Sequence, residues 1–266
     1  MSRFTHLLAL VLVCCCQLPA QEMRVYTTVS RIEEAGTSQP LGHSLTLFHS
    51  GKVYDFMEEV GEVVIYEPMN ERFLFLDGNY RVAELTLVEL NQFRKSSESE
   101  SQKYLANLKL DGSDQAKKQA AALEFQLHPQ FDERFDAHNQ RLRMTSEQMV
   151  YEIKTASSPN PDAVMQYLAY ADMAVRFNHI LGPKALLPEP RLAVNSALRN
   201  RKRIPLVVDM RTRAEGNDHL QAEHKFSWEL QAMDQRLITK WEQQIKAKEA
   251  IKVSFRDYQR KLVTAK

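Results

Sequence analysis

Cysteine is confined to residues 14–16 of this 266-residue chain, and glycine occurs only eight times. The sequence carries no GxGxxG, no GxxxxGK[ST], no GxSxG and no HExxH. Phosphate loops, nucleophile elbows and zincin helices are therefore absent as local motifs, and no cofactor is expected. There is no Asn-x-Ser/Thr sequon either. Charge of one sign is also lacking. Without Arg3 the 35 basic residues fall to 34, against 34 acidic. Such a balance gives no global steering toward nucleic acid or an anionic membrane.

The first twenty residues read as an export signal. Arg3 supplies a positive start, Leu7–Cys16 is an apolar run too short to span a bilayer comfortably, and Leu18-Pro19-Ala20 offers a small residue at the cut. Cleavage after Ala20 is expected, leaving 246 residues with no cysteine. That chain can form no disulfide, thiolate nucleophile or cysteine-ligated zinc. It is still long enough to bury a sizeable core as one domain, residues 21–266, with a sub-boundary at 155–161 as the best linker candidate. The competing reading is a lipoprotein signal, with a cysteine of 14–16 lipidated and the chain membrane-associated by that anchor. The residues before those cysteines are Val13, Cys14 and Cys15, not the small ones such a signal uses. A cysteine-free, sequon-free exported chain fits a bacterial periplasmic or secreted location.

Pro161–Pro183 (PDAVMQYLAYADMAVRFNHILGP) is the stretch around which the rest organises. Its apolar residues recur at helical spacing over a wide stripe, so it predicts a helix covered on most sides, capped by Asn160 or Asp162 and stopped by Gly182-Pro183. Ahead of it, Met23–Ile32, His43–His49, Lys52–Met57, Glu62–Tyr66, Arg72–Leu76 and Tyr80–Leu85 alternate as strands separated by tight turns, an antiparallel meander. Thr86 and Glu89 form a capping box that starts a helix running from Leu87 to about Lys95, or further through the polar Ser96–Ser101 stretch, with Asp111-Gly112 as its break. Asp114–Leu123 suggests a second helix, and Glu124–His128, Arg141–Thr145 and Met149–Lys154 further strands. Pro205–Arg213 and His219–Leu230 predict a hairpin about Glu215–Asp218, and Met233–Lys266 a helical tail. The fold class expected is α+β: a curved antiparallel sheet packed on the central apolar helix, with a helical C-terminal tail.

Five groups of side chains invite a chemical reading. Asp172, Arg176 and His179 follow i, i+4, i+7 on the central helix, a spacing that would suit an Asp–His acid/base pair in a hydrolase. A helix-surface ion pair with a histidine near the C-terminal dipole explains the same spacing. His128, Asp132, Asp136 and His138 offer oxygen and imidazole for zinc or manganese, although Phe131 and Phe135 account for them as a short amphipathic turn. Arg199, Arg201, Lys202 and Arg203 form a basic run able to grip phosphate or anionic lipid, or simply to face water at a helix end. His219 and Glu223 share one strand face while His224 takes the other, and His43 and His49 flank two leucines on one strand face.

His43–Glu71 together with Tyr167–Leu192 resembles a group of uncharacterised exported proteins of planctomycete-type bacteria, a resemblance that implies location. The strand succession is similar in layout to the bacterial lipoprotein carriers, whose curved antiparallel sheet wraps helices around an apolar pocket. From that layout comes the expectation of a non-enzymatic envelope protein binding a lipid or other apolar ligand, or an envelope protein partner. A hydrolase and a structural module docking through its helical tail are the alternatives.

Overall fold

The computed structural model describes residues 22–33, 36–182, 185–213 and 218–264, with side chains to 260. The expected export signal, Pro183 of the expected helix stop and most of the Glu215–Asp218 turn lie outside the described residues. Among the described residues, twelve strands form one open sheet, accompanied by six helices, a mixed α+β architecture. In chain order come β1 (Met23–Ile32), β2 (Ser38–His49), β3 (Lys52–Met57), β4 (Glu62–Glu67), β5 (Arg72–Leu76) and β6 (Arg81–Thr86). Then follow α1 (Leu87–Asp111), α2 (Asp114–Leu127), β7 (Asp132–Asp136), β8 (Arg141–Thr145), β9 (Met149–Ser157), α3 (Pro161–Leu181) and α4 (Glu189–Asn200). The last elements are β10 (Arg203–Thr212), β11 (His219–Ser227), α5 (Ala232–Lys246), β12 (Ile251–Val253) and α6 (Phe255–Thr264).

The spatial order is β12-β6-β5-β4-β3-β2-β1-β11-β10-β9-β8-β7. The two meanders join where β11 pairs with β1, Val25 opposite Phe226 and Thr27 opposite His224. Every one of these pairings is antiparallel except that of β12, which lies parallel to β6.

Strand composition records which faces are covered. β4 (EVVIYE) and β5 (RFLFL) are apolar nearly throughout, and Val63, Val64, Ile65, Phe73, Leu74 and Phe75 are all buried. Such runs need cover on both faces. On one side α5 lays Ile238 and Trp241 against Leu47, Tyr54, Ile65 and Leu76. On the other, α1, α3 and α6 bring Leu90, Phe177, Phe255 and Tyr258 onto Val64, Phe75 and Leu85. By contrast β8 (RLRMT) alternates exposed and buried, and only its Leu142 and Met144 side joins the core.

α3 links the two halves. Asn160 caps its start by accepting the Asp162 N–H at 2.8 Å. Val164, Tyr167 and Leu168 pack with Tyr151, Ile153 and Val208 from β9 and β10, and Phe177 joins the β4–β5 cluster. Each such side chain fully buried contributes about 1.5–3 kcal/mol.

Several expectations are corrected. α1 passes Lys95 and continues through the Ser/Glu-rich stretch to Asp111, ending at the Asp111-Gly112 break the sequence offers. Glu124–Leu127 ends α2, where Phe125 meets Phe131 edge-on. The proposed linker at 155–161 is largely structure: β9 continues to Ser157, with Thr155 opposite Pro205. The helical tail is not one helix. Ala247 leaves helical geometry, β12 adds to the sheet edge, and α6 starts afresh, so Trp241, Phe255 and Tyr258 are buried instead of forming an exposed docking stripe.

Candidate functional site

The basic run is consumed by the fold. Arg199 donates to Asp172 at 2.6 Å, Arg201 pairs with Glu133 while lying over the Phe135 ring, and Arg203 donates to Thr155 at 3.2 Å and Ser157 at 2.7 Å. Lys202 takes a left-handed φ of 53° at the turn into β10. These contacts tie α4 and β10 to α3, β7 and β9 and leave the run no free cluster for an anion.

The catalytic grouping on α3 does not assemble. Asp172 accepts from Arg199 and, at 2.8 Å, from Asn195, both on α4. Arg176 contacts the Met173 sulfur, and His179 Nε2 bonds the Ser97 hydroxyl on α1 at 2.9 Å. Two turns of helix and separate partners divide the would-be acid from the base. The metal candidates are dispersed as well. Asp132 pairs with Arg134; Asp136 accepts the backbone N–H of His138 and Asn139, closing the β7–β8 turn. Residues 132–136 form a strand, not the amphipathic turn expected, and His128 caps α2. Among the described residues no three His, Cys, Asp or Glu side chains gather as a metal site. His43 and His49 hold Glu59 and Glu22 at 2.7 and 2.9 Å, and His219 holds Asp209 at 2.8 Å.

Three buried side-chain atoms lack a partner among the described residues: Nδ1 of His179 on α3, Oδ1 of Asn195 on α4, and Nε2 of His224 on the α3-facing side of β11. The register places His224, Thr27, Ser44 and Met57 in one row across four strands, and Ala222 beside Val208 and Leu220 beside Met210. His224 Nδ1 and the Thr27 hydroxyl lie 2.9 Å apart, whereas Nε2 is buried without a partner among the described residues. Burial pushes the His224 pKa down to about 3, and the nearby positive charge of Arg191 lowers it further, so the ring is neutral. Tyr167 from α3 meets His224 edge-on at 6.3 Å and Phe226 at 5.0 Å. Its hydroxyl, like that of Tyr151 on β9, bonds no described residue. Burial pushes each phenol up to about 12, against the opposing pull of Arg191.

Arg191, in the first turn of α4, is half-buried and makes no hydrogen bond or ion pair with any described residue. Its positive charge works to lower the pKa of Tyr151, Tyr167 and His224. On the same side of the sheet Met210, Leu220, Ala222 and His224 are only half-buried. Elsewhere on the sheet Asp55 accepts from the Tyr170 hydroxyl at 2.8 Å and from the Thr46 hydroxyl at 2.9 Å. Burial raises the Asp55 pKa despite both donors.

Nothing in the spacing of Tyr151, Tyr167, Arg191 and His224 announces a site. Only the strand order unites them; the one readable signal was that His224 faces away from His219. A depression of about 700 Å³ lies between α2 and the β8–β9 turn, walled by Lys117, Lys118, Glu147, Gln148 and Arg213. Lys117 is already paired with Asp114 there. The chain matches no protein-family model and no curated protein. Among the described residues no helix is long and apolar enough to cross a membrane.

Proposed function

We propose that this is an exported, non-enzymatic binding protein of the bacterial envelope that holds a largely apolar ligand between α3, α4 and the sheet. The observation that carries this reading is the ring contact of Tyr167 with His224 beside the half-buried, largely apolar Met210 and Ala222: among the described residues the Tyr167 hydroxyl makes no hydrogen bond and Nε2 of His224 is orphaned. Buried polar groups are ordinarily satisfied within the fold, and a group that is not calls for a partner from outside. A few such groups in a mostly apolar recess are the usual make-up of a small-molecule site. In this reading the sheet curves about α3 as its central helix, which the packing of α3 on both halves of the core supports. A hydrolase draws no support from Asp172 and His179, which serve α4 and α1.

Native mass spectrometry of residues 21–266 purified from a bacterial periplasm tests the proposal. It anticipates an added small-molecule mass that disappears on denaturation. A bare chain that also takes up no fatty acid or fatty alcohol would contradict it.

A further inference from the structure

The depression between α2 and the β8–β9 turn lies apart from the Tyr167–His224 contact, and its walls are polar. The structure assigns it to a short acidic peptide, the peptide's two carboxylates taken by Lys118 and Arg213 and its amino group by Glu147.

Both walls are fixed by contacts that leave the space between them open. α2 packs Ala116 and Ala120 with Leu108 of α1, so Lys117, Lys118, Ala121 and Ala122 are left to face the depression. Ala121 and Ala122 are too short to fill it, and about 700 Å³ remains, within the usual range of ligand pockets. Across from them, the Ser146 hydroxyl accepts the N–H of Gln148 at 3.2 Å and that of Met149 at 2.9 Å. The Arg213 N–H donates to the Gln148 carbonyl at 2.9 Å. These bonds hold the backbone of the turn and of Arg213 in place while the side chains of Glu147, Gln148 and Arg213 stay free.

Charge and hydrogen-bonding capacity then choose the ligand. Lys117 is paired with Asp114, but the side chains of Lys118, Glu147 and Arg213 make no ion pair or hydrogen bond with any described residue. Opposite charges thus line one depression without meeting, an arrangement complementary to a ligand that carries both signs. Two free cations and one free carboxylate match a molecule with two carboxylates and one ammonium group. A simple polyanion would meet Glu147 as a like charge. The Gln148 side-chain amide both donates and accepts, as a peptide group does. Among the described residues no aromatic ring lines the walls, which leaves a nucleobase no face to stack on.

The test is a ¹H–¹⁵N NMR titration at pH 7 of the chain purified from a bacterial periplasm. The probes are the peptide Gly-Ala-Glu, its N-acetyl form, Gly-Ala-Gln and tripolyphosphate. Gly-Ala-Glu should shift the Ala121, Ala122 and Gln148 amides saturably. It should bind about fivefold tighter than the acetylated peptide or the glutamine peptide, the upper end for an exposed ion pair. Glu147→Gln should erase the preference for a free amino group, and the double variant Lys118→Gln, Arg213→Gln the preference for glutamate. The three side chains hold no described residue, so the variants keep their fold, and an unchanged melting temperature verifies that. Unmoved amides at all three positions, or either preference surviving in its variant, overturns the assignment. Tripolyphosphate binding as tightly as Gly-Ala-Glu overturns it too, since positive charge alone would then govern the depression. An apolar ligand beside Tyr167 and His224 is untouched by any of these results.

Discussion

Tyr170, on the central helix, donates a 2.8 Å hydrogen bond to Asp55 on β3, where the carboxyl group also accepts from Thr46 on the neighbouring strand. The contact fastens α3 to the middle of the sheet. Tyr170→Phe removes one donor and should cost about 1.5–3 kcal/mol in chemical denaturation. Because that bond favours the ionised carboxylate, the deficit should be larger at pH 7 than at pH 3. A deficit that does not change with pH would show that the hydroxyl does not act on Asp55.

The opposite side of the sheet depends on Lys52, which donates to Glu67 and Glu242 at 2.7 Å each and so fastens α5 to β3 and β4. Burial alone would raise Glu67, but the hydrogen bonds from Lys52, Asn70 and Arg72 outweigh it and hold its pKa down at about 2. A depressed carboxylate stabilises the fold above its unfolded value, near 4.5, and that stability is lost as pH falls toward 2. Lys52→Met should cost about 2 kcal/mol at pH 7. It should also flatten the acid limb of stability between pH 4.5 and pH 2, as read by urea melts across that range.

His224 acts in a different window. Its folded pKa of about 3 lies below the ordinary 6.5, so the unfolded chain binds the extra proton first. Stability from this group is complete above pH 6.5 and declines as pH falls toward 3. The slope is up to about 1.4 kcal/mol per pH unit for one proton. In NMR the His224 ring should show no titration between pH 8 and pH 5. A midpoint near 6.5 for this ring would refute its burial as a neutral group.

The C-terminal elements are part of the core. Phe255 and Tyr258 are 6 % and 3 % exposed, and β12 shields the edge of β6. Ending the chain at Lys246 exposes both rings' partners and should cost about 3–6 kcal/mol, with self-association through the uncovered β6 edge. A monomer of undiminished stability after truncation would mean that the tail only decorates the surface.

The strands from Met23 to Thr86 were legible because period-two alternation and turn residues are local signals. The Thr86–Glu89 capping box was likewise readable, and both of its hydrogen bonds are formed. What local pattern could not supply was partnership. Asp172 and Arg176 sit one turn apart, yet Asp172 turns to Arg199 on the next helix. Met233 to Lys266 kept an apolar stripe across a break, because a three-residue edge strand has almost no pattern of its own. Unpaired groups lay further out of reach. Arg191 stands out only for lacking a partner among the described residues, and that depends on where the other charges go.

The most direct measurement is methionine-methyl NMR of the ¹³C-labelled chain during titration with dodecanoate. Met210 lies half-buried on the α3-facing side of β10, whereas Met69 and Met233, 92 % and 60 % exposed, lie on the surface. The apolar-ligand proposal predicts a saturable shift of the Met210 methyl with Met69 and Met233 unmoved. A stationary Met210, or equal shifts at the two exposed methionines, would contradict a ligand between α3, α4 and the sheet.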